Sequence, residues 1–413
     1  MRYWISILLA AALPAGAQED RTVSVEELAE LAVRNNAAIR AARYRYEAAV
    51  KRPSQVSTLP EPKFTAASFG VGHPFSRISP NDFAYVGFGV SQEIPFPGKL
   101  TLVAEEARRE AEVDRQMYHA MVRETAAQVK SAYYEWFGVH KAIEITGKNR
   151  DLLERFEKIT RARYAVGRGI QQDVLKAQVE LSVLAQRLEM LEQKRAVIEA
   201  QIRSLVQAET PLGRPADVRL SPIARSLESL LEAVETTSPR LLSAAAMAES
   251  RATAIERARR DYRPDFNFMF QWQKTGAAFP DYYMAVAEVK IPIFFWRKQR
   301  LGVEEAVSRF RAARSDALAA RQEIVFQVKD QYLQARTSER LLTLYQSGLI
   351  PQSTLALESA LTGYETGSVD FLTLLSGQMS VLAWELQYYE ELARHAQARA
   401  RLEALVDIDL TKP

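Results

Sequence analysis

Residues 163–181, RYAVGRGIQQDVLKAQVEL, return at 363–381 as GYETGSVDFLTLLSGQMSV, with Tyr164, Gly167, Val174, Leu175 and Gln178 facing Tyr364, Gly367, Leu374, Leu375 and Gln378. Upstream, Gln128, Val129, Lys130 and Tyr133 fall on Gln327, Val328, Lys329 and Tyr332 at an offset of 199. The stretch LVAEEA (102–107) falls on LGVEEA (301–306), and EIPFPGK (93–99) on KIPIFFWRK (290–298), with a change of offset by two inside that turn. Four matched segments in one order mean a unit duplicated in tandem, so the 413 residues divide by repeat and not by independent domains. The expected division is a leader over 1–17, a first repeat over 18–220 and a second over 221–413.

Four segments differ from the helical remainder. Around 63–72, 83–94, 265–275 and 282–291, apolar residues alternate with small or polar ones. Ala84, Val86, Phe88, Val90 and Ile94 fall on one face of the second segment, and Phe266, Phe268, Phe270 and Trp272 on one face of the third. Period-two patterning rich in aromatics and glycine is that of strands, and about ten residues suits a tilted membrane strand. HPFSRISPND (73–82) and TGAAFPDY (275–282) supply the turns within each pair.

Helical hairpins are expected over about 98–208 and 298–406, with tips near 167–170 and 367–369. The outgoing helix of each would be on the order of 100 Å long. The first returning helix carries a coiled-coil seam: Val174, Leu181, Leu188 and Ile202 on one heptad position, Ala177, Leu184, Leu191, Ile198 and Leu205 on the other, with Arg195 the one break. The second seam, Leu374, Val381, Tyr388, His395 and Leu402 with Trp384, Ala398 and Leu405, is more polar and aromatic. The two hairpins therefore meet different surroundings.

Four strands cannot close a barrel, and an open edge in lipid leaves backbone amides without partners. The chain must associate. Two copies would give eight strands and a side-chain-filled interior, three would give twelve. The N-terminus, MRYWISILLAAALPAGAQED, has the charged start, short apolar core and small-residue site of a secretory signal cleaved after Ala17. No stretch of 18 apolar residues follows it. Without cysteine there is no disulfide, thiolate ligand or cysteine-borne lipid anchor. With 54 basic residues nearly balanced by 51 acidic ones, nucleic acid is not an expected partner.

On SQEIPFPGKL (91–100), VKIPIFFWRKQR (289–300) and the two tips, in that order and duplicated, the chain resembles the TolC family of outer-membrane factors, and among them the cation-efflux, CzcC-like branch. The resemblance spans essentially the whole mature chain. It implies a mainly α fold with a membrane β-barrel: a homotrimer whose four strands per chain form a twelve-stranded barrel above an α-helical tunnel. It also implies contacts with outer-membrane lipid, a periplasmic adaptor and an inner-membrane pump of the resistance-nodulation-division type, in a Gram-negative envelope, with heavy-metal cations as candidate cargo.

The family carries its adaptor contacts at the hairpin tips. The matching positions are Tyr164, Gly167, Asp173, Val174 and Leu175 in the first repeat and Tyr364, Gly367, Leu374 and Leu375 in the second. The acidic positions that flank the paired apolar residues in well-known members are Thr373 and Ser376 here, so Asp370 is the nearest carboxylate for a pore or gate. Asp370 equally suits a helix N-cap. Pro95, Gly98 and Pro292 mark the strand-to-helix turns.

No enzyme signature is present. His73, His119, His140 and His395 are scattered, no phosphate-cradling loop precedes a helix, and no nucleophile sits in an elbow. No cofactor or metal site is expected. The alternative is a coiled-coil spacer or adaptor of the cell envelope, which the paired strands and doubled hairpins oppose.

Overall fold

The computed structural model describes residues 22–70, 84–208, 212–408 and 410; the expected leader, the turn at 73–82 and the last two residues of the first expected strand lie outside them. The elements run β1 (Thr22–Val23), α1 (Val25–Asn35), α2 (Ala37–Ser57), β2 (Lys63–Phe69), β3 (Tyr85–Ile94), α3 (Lys99–Ala165) and α4 (Gln171–Val206). The order then repeats as β4 (Arg214–Pro215), α5 (Leu227–Thr237), α6 (Pro239–Arg260), β5 (Asp265–Thr275), β6 (Tyr282–Lys290), α7 (Gln299–Leu344), a π turn (Tyr345–Leu349), α8 (Ile350–Thr366) and α9 (Phe371–Val406). Two helices, not one, precede each strand pair. The first of each two starts on a serine cap: Ser24 Oγ accepts from the Glu27 amide at 3.2 Å, Ser226 Oγ from that of Ser229 at 3.3 Å.

Contacts divide the chain into two compact units. One comprises residues 1–40, 121–238 and 324–413, and the regular structure of its described residues is helical apart from the short β1–β4 pair. Within it the long helices stack side by side. α4 meets α3 through Ile198 and Ile202 against Val129 and Trp136. α3 meets α9, where Phe137 and Tyr389 rings lie 6.2 Å apart and Lys130 reaches Glu403 at 2.8 Å. α9 meets the π turn and α8, with Tyr345 Oη donating to Gln387 at 3.1 Å. α4 and α7–α8 thus form the two ends of the layer.

Tyr133 is the pin of this unit. Its hydroxyl donates to the Val23 carbonyl at 2.9 Å and accepts from the Ala216 amide at 2.8 Å, holding β1 and β4 on α3. Burial pushes the phenol up to about 12, so it stays a neutral donor. Its repeat counterpart Tyr332 takes no such place and instead lies beneath the Arg336 guanidinium at 5.4 Å.

The other unit, residues 41–120 and 239–323, holds an antiparallel sheet of order β2-β3-β5-β6. The register puts Phe88 against Trp272, Val90 against Phe270, Gln92 against Phe268 and Ile94 against Phe266. Phe64, Ala285, Ala287 and Val289 extend that face across the outer strands. The opposite face carries Glu93, Asn267 and Glu288 in one row, with Asn267 donating to Glu288 at 2.9 Å, and Gln271 and Gln273 further along. One side of the sheet is mainly apolar, and the other is mainly polar with Met269, Val286 and Met284 interspersed. Among the described residues no helix is long and apolar enough to cross a membrane.

The second outgoing helix departs from the expected continuous column. The first, α3, runs unbroken through Gly138 and Gly147, whereas α7 gives way to the π turn at Tyr345–Leu349. The repeats account for it. Tyr133 and Tyr332 are 199 apart but Tyr164 and Tyr364 are 200 apart, so the second copy holds one extra residue between them. A π turn absorbs one residue without rotating the helix beyond it. It also accommodates Pro351, whose ring would clash with the carbonyl four residues back in a regular helix.

Deleting Ser347, an exposed π-turn residue, together with Pro351→Ala should restore a regular helix and leave the thermal midpoint of the detergent-solubilised protein nearly unchanged. Deleting Gly147 from α3 should instead turn the helix beyond it by about 100°, displacing Phe156 from the core at a cost of roughly 3 kcal/mol or more. Equal effects of the two deletions, followed by circular dichroism, would contradict the insertion account.

Candidate functional site

The hairpin tips are built alike. Arg168 N–H reaches the Arg163 carbonyl at 2.8 Å and Gly167 N–H that of Tyr164 at 3.0 Å; Ser368 and Gly367 repeat this onto Gly363 and Tyr364 at 2.8 and 3.1 Å. This is the Schellman closure, which needs a left-handed residue past the helix end. Gly167 and Gly367 supply it, with φ of +74° and +85°.

On this common backbone the side chains diverge. Tyr364 is 4% exposed and its hydroxyl meets Thr160 Oγ1 at 3.3 Å, while Tyr164 is 47% exposed. Leu375 is 6% exposed and Leu175 52%; Val174 and Leu374 are both buried. The second tip is a packing core, where Tyr364, Phe371, Leu374 and Leu375 join Phe156, Ala177 and Leu184. The first tip leaves Tyr164, Val166, Ile170 and Leu175 facing outward.

Arg163, which sequence reasoning missed, joins the tips. Its guanidinium lies 4.7 Å from the centre of the Tyr364 ring and donates to the Tyr364 carbonyl. The signal was present in the alignment of the repeats, because the counterpart of Arg163 is Gly363. A Cβ there would come within 2.5 Å of Val369 Cγ2. One repeat reaches across with the cation that the other has no room to hold.

Asp370 sits as the N-cap of α9, accepting from the Thr373 amide at 2.9 Å. Its bonds to Thr373 hold the carboxyl below its ordinary value. Ser376 Oγ donates to the Thr373 carbonyl at 2.9 Å. Asp173, in the first turn of α4, is raised by burial and then by the charge of Asp370. Among the described residues no three His, Asp or Glu side chains gather to hold a metal ion.

The strand-to-helix turns also differ. In the first, between Pro95 and Gly98, Phe96 N–H and Lys99 Nζ both bond Asp265 Oδ1, at 2.9 and 2.8 Å, tying the turn to β5. Gly98 takes φ of +89° with the Arg260 guanidinium alongside. The second turn, around Pro292, follows the edge strand β6 and leaves Ile293, Phe294, Phe295 and Trp296 exposed.

A strand pair followed by a long hairpin, written twice, is also what comparison finds. The family model described as outer membrane efflux protein matches residues 28–207 and 230–406, one match per repeat. The chain belongs to the outer membrane efflux protein family. Its fold superposes on that of CusC with a TM-score of 0.79 at 15% identity, covering 92% of this chain and 91% of that one. VceC of Vibrio cholerae gives 0.78 at 16%, covering 92% and 95%. The open state of the MtrE outer membrane channel of Neisseria gonorrhoeae gives 0.78 at 18%, covering 94% and 91%. No curated protein sequence matches. Membership places this efflux protein in the outer membrane of a Gram-negative cell with its helical part in the periplasm, and its structural neighbours are channels.

The two aspartates give this tip a defined pH response. Charged Asp173 opposes the folded tip, so protonation through its raised value, down toward the ordinary 3.8, adds stability. Asp370 does the reverse: its contribution is present above 3.8 and is lost as pH falls through its depressed value. Asp173→Asn should therefore raise the thermal midpoint at pH 7 and by less as pH falls toward 3.8, and Asp370→Ala should lower the midpoint at pH 7. A wild-type pH profile retained by Asp173→Asn would remove Asp173 from this account.

Proposed function

We propose that this chain forms the outer-membrane channel of a tripartite efflux system, a homotrimer passing substrate passively from a periplasmic adaptor and an inner-membrane pump to the exterior. The observation that carries this is the four-stranded sheet, mainly apolar on one face and mainly polar on the other, with the outer edges of β2 and β6 unpaired among the described residues. In lipid those edges require further strands. The helical unit points the same way. Leu175, Val179, Val183, Met190 and Val197 make an exposed apolar stripe on α4, and Phe326, Leu333 and Leu344 make one on α7, with Leu355 exposed on α8 beyond the π turn. Both ends of the helical layer are thus unpartnered. Joining the α4 end of one copy to the α7–α8 end of the next is a head-to-tail association, which closes as a ring when each copy is rotated from the last by a third of a turn.

Two experiments bear on the barrel and the trimer. Phe268→Arg, on the apolar face, should cost roughly 2–4 kcal/mol in the membrane, while Asn267→Arg on the polar face is tolerated. Val183 and Leu355 each lie about three helical turns from their tips, so a Val183→Cys, Leu355→Cys protein should crosslink into a trimer in cells. Equal tolerance of both arginines, or a monomer in detergent, would defeat the reading.

The tips are the proposed adaptor contact. The exposed Tyr164, Val166, Ile170 and Leu175 make the first tip the adhesive one, and buried Tyr364, Leu374 and Leu375 make the second its support. Asp370, with Thr373 and Ser376, is proposed to line the pore at the tips while capping α9. The pump is proposed to be of the resistance-nodulation-division type and the cargo heavy-metal cations, on the resemblance to the CzcC-like branch. Replacing Gly167 and Gly367 by Val should leave a trimer in the outer membrane that no longer crosslinks to its adaptor or supports export. Normal export by that variant would move docking elsewhere, and a host lacking the gene, challenged with metal ions and drugs, identifies the cargo.

A further inference from the structure

Exposed apolar and aromatic side chains gather at the turn after β6. Ile291, Ile293, Phe294, Phe295 and Trp296 are each about half exposed or more. The segment is ordered by its own bonds: Arg297 and Lys298 amides both reach the Phe294 carbonyl, at 3.1 and 3.0 Å, and the Arg300 amide that of Phe295 at 2.9 Å. Trp296 packs edge-on to Phe295 with centroids 5.2 Å apart, so the rings form one knob. A folded chain does not hold such a knob in water without a partner.

Charge and position select the partner. Between Glu288 and Glu304 the sequence carries Lys290, Arg297, Lys298 and Arg300 and no acid. Among the described residues neither Arg297 nor Lys298 has an ion-pair partner, and Arg300 has only the exposed Glu304. Val289 lies on the apolar face of the sheet opposite Phe266, and Ile291 continues that face by alternation. The knob therefore begins where the apolar face ends, at the helical end of β6. Aromatic rings beside cations at the margin of a lipid-facing surface are the composition of a membrane–water boundary. The corresponding turn of the first repeat has no such feature, because Phe96 is half-buried and tied to Asp265.

We propose that residues 291–300 are a lipid anchor specific to the second repeat, with Phe294, Phe295 and Trp296 seated among the acyl-chain ends nearest the headgroups. Arg297, Lys298 and Arg300 there bind the phosphodiesters of anionic phospholipid. Guanidinium and ammonium donors match phosphate oxygens, and an anionic surface adds attraction for each cation near it. This rests on the barrel reading above.

The test is fluorescence quenching of the full mature protein reconstituted in phosphatidylcholine vesicles with and without phosphatidylglycerol, using lipids brominated near the headgroup or deep in the chain. In a Trp272→Phe background, which removes the other tryptophan on the apolar face, Trp296→Phe should remove most of the headgroup-proximal quenching, and a tryptophan placed at Phe268 should report deep bromines as a depth reference. Replacing Arg297, Lys298 and Arg300 by Ser should cut the preference of Trp296 for brominated phosphatidylglycerol over brominated phosphatidylcholine by roughly tenfold or more. Unchanged shallow quenching in Trp296→Phe, or an unchanged lipid preference in the triple variant, would overturn the anchor. So would failure of a Phe294→Ser, Phe295→Ser, Trp296→Ser protein to assemble in detergent, which would assign the knob to a second copy. Absence of deep quenching at position 268 would overturn the barrel reading instead.

Discussion

The backbone amides along the outer edges of β2 and β6 set the terms for everything else. Each edge strand presents a row of donors and acceptors that water could satisfy and hydrocarbon could not. A sheet with one apolar face and one polar face, as the register here gives, has no stable place in a membrane as an open ribbon. Its two edges also come from different repeats, β2 from the first and β6 from the second. The same holds in the helical unit, where α4 and α7–α8 end the layer. Any association that satisfies both must bring first repeat to second, and a tandem duplication provides the two unlike ends within one chain.

Unlike ends require that the copies diverge, and they diverge in side chains more than in backbone. The tips close with the same hydrogen bonds and the same positive-φ glycine, and α4 and α9 even end alike, on Gln207 and Asp407 with φ of 51° and 50°. Yet Tyr133 pins two strands where Tyr332 lies under an arginine, and Tyr364 is buried where Tyr164 is not. Arg163 passes beside Gly367, where a Cβ would make only ordinary contact with its guanidinium at 3.5 Å; the φ of +85° is what calls for glycine there. Within the outgoing helices the π turn is the backbone difference, and its effect is to keep the second helix in phase after an insertion.

How much was legible in the sequence depends on the physical origin of each signal. Strand faces were readable because alternation is a direct consequence of the pleat, and Phe268 and Asn267 do fall on opposite sides. The hairpins were readable because heptads fix one face of a helix, and Val174, Ala177, Leu184, Ile198 and Ile202 are buried. The second helix of each pair before the strands was not, because α2 and α6 lack a strong amphipathic pattern and come after α1 and α5 with a single residue between. Which tyrosine of each pair would be buried was equally hidden, since identical residues in aligned repeats carry no mark of the neighbour that covers them. The exposed second turn and the packed first one differ because β6 is an edge strand and β3 is central, a fact of pairing order that local sequence does not contain.

The seams of the helical layer differ in kind, and that difference bears on how the proposed assembly would hold its register. Within the chain, α3 and α9 are joined by directional contacts. Lys130 meets Glu403, Gln378 Nε2 donates to the Asn149 carbonyl at 2.9 Å, and Gln397 Nε2 donates to that of Ser131 at 3.0 Å. Such bonds are lost on a shift of one turn and so fix the axial position of one repeat against the other. The outward stripes on α4 and α7 are apolar side chains spaced by whole turns, which supply area but tolerate sliding. Something else must set the level at which neighbouring copies meet. The strand edges are suited to it, because a slip of one residue in a ladder moves every side chain to the wrong face of the sheet. On this view the membrane strands set the register of the trimer, and the helical stripes conform to it.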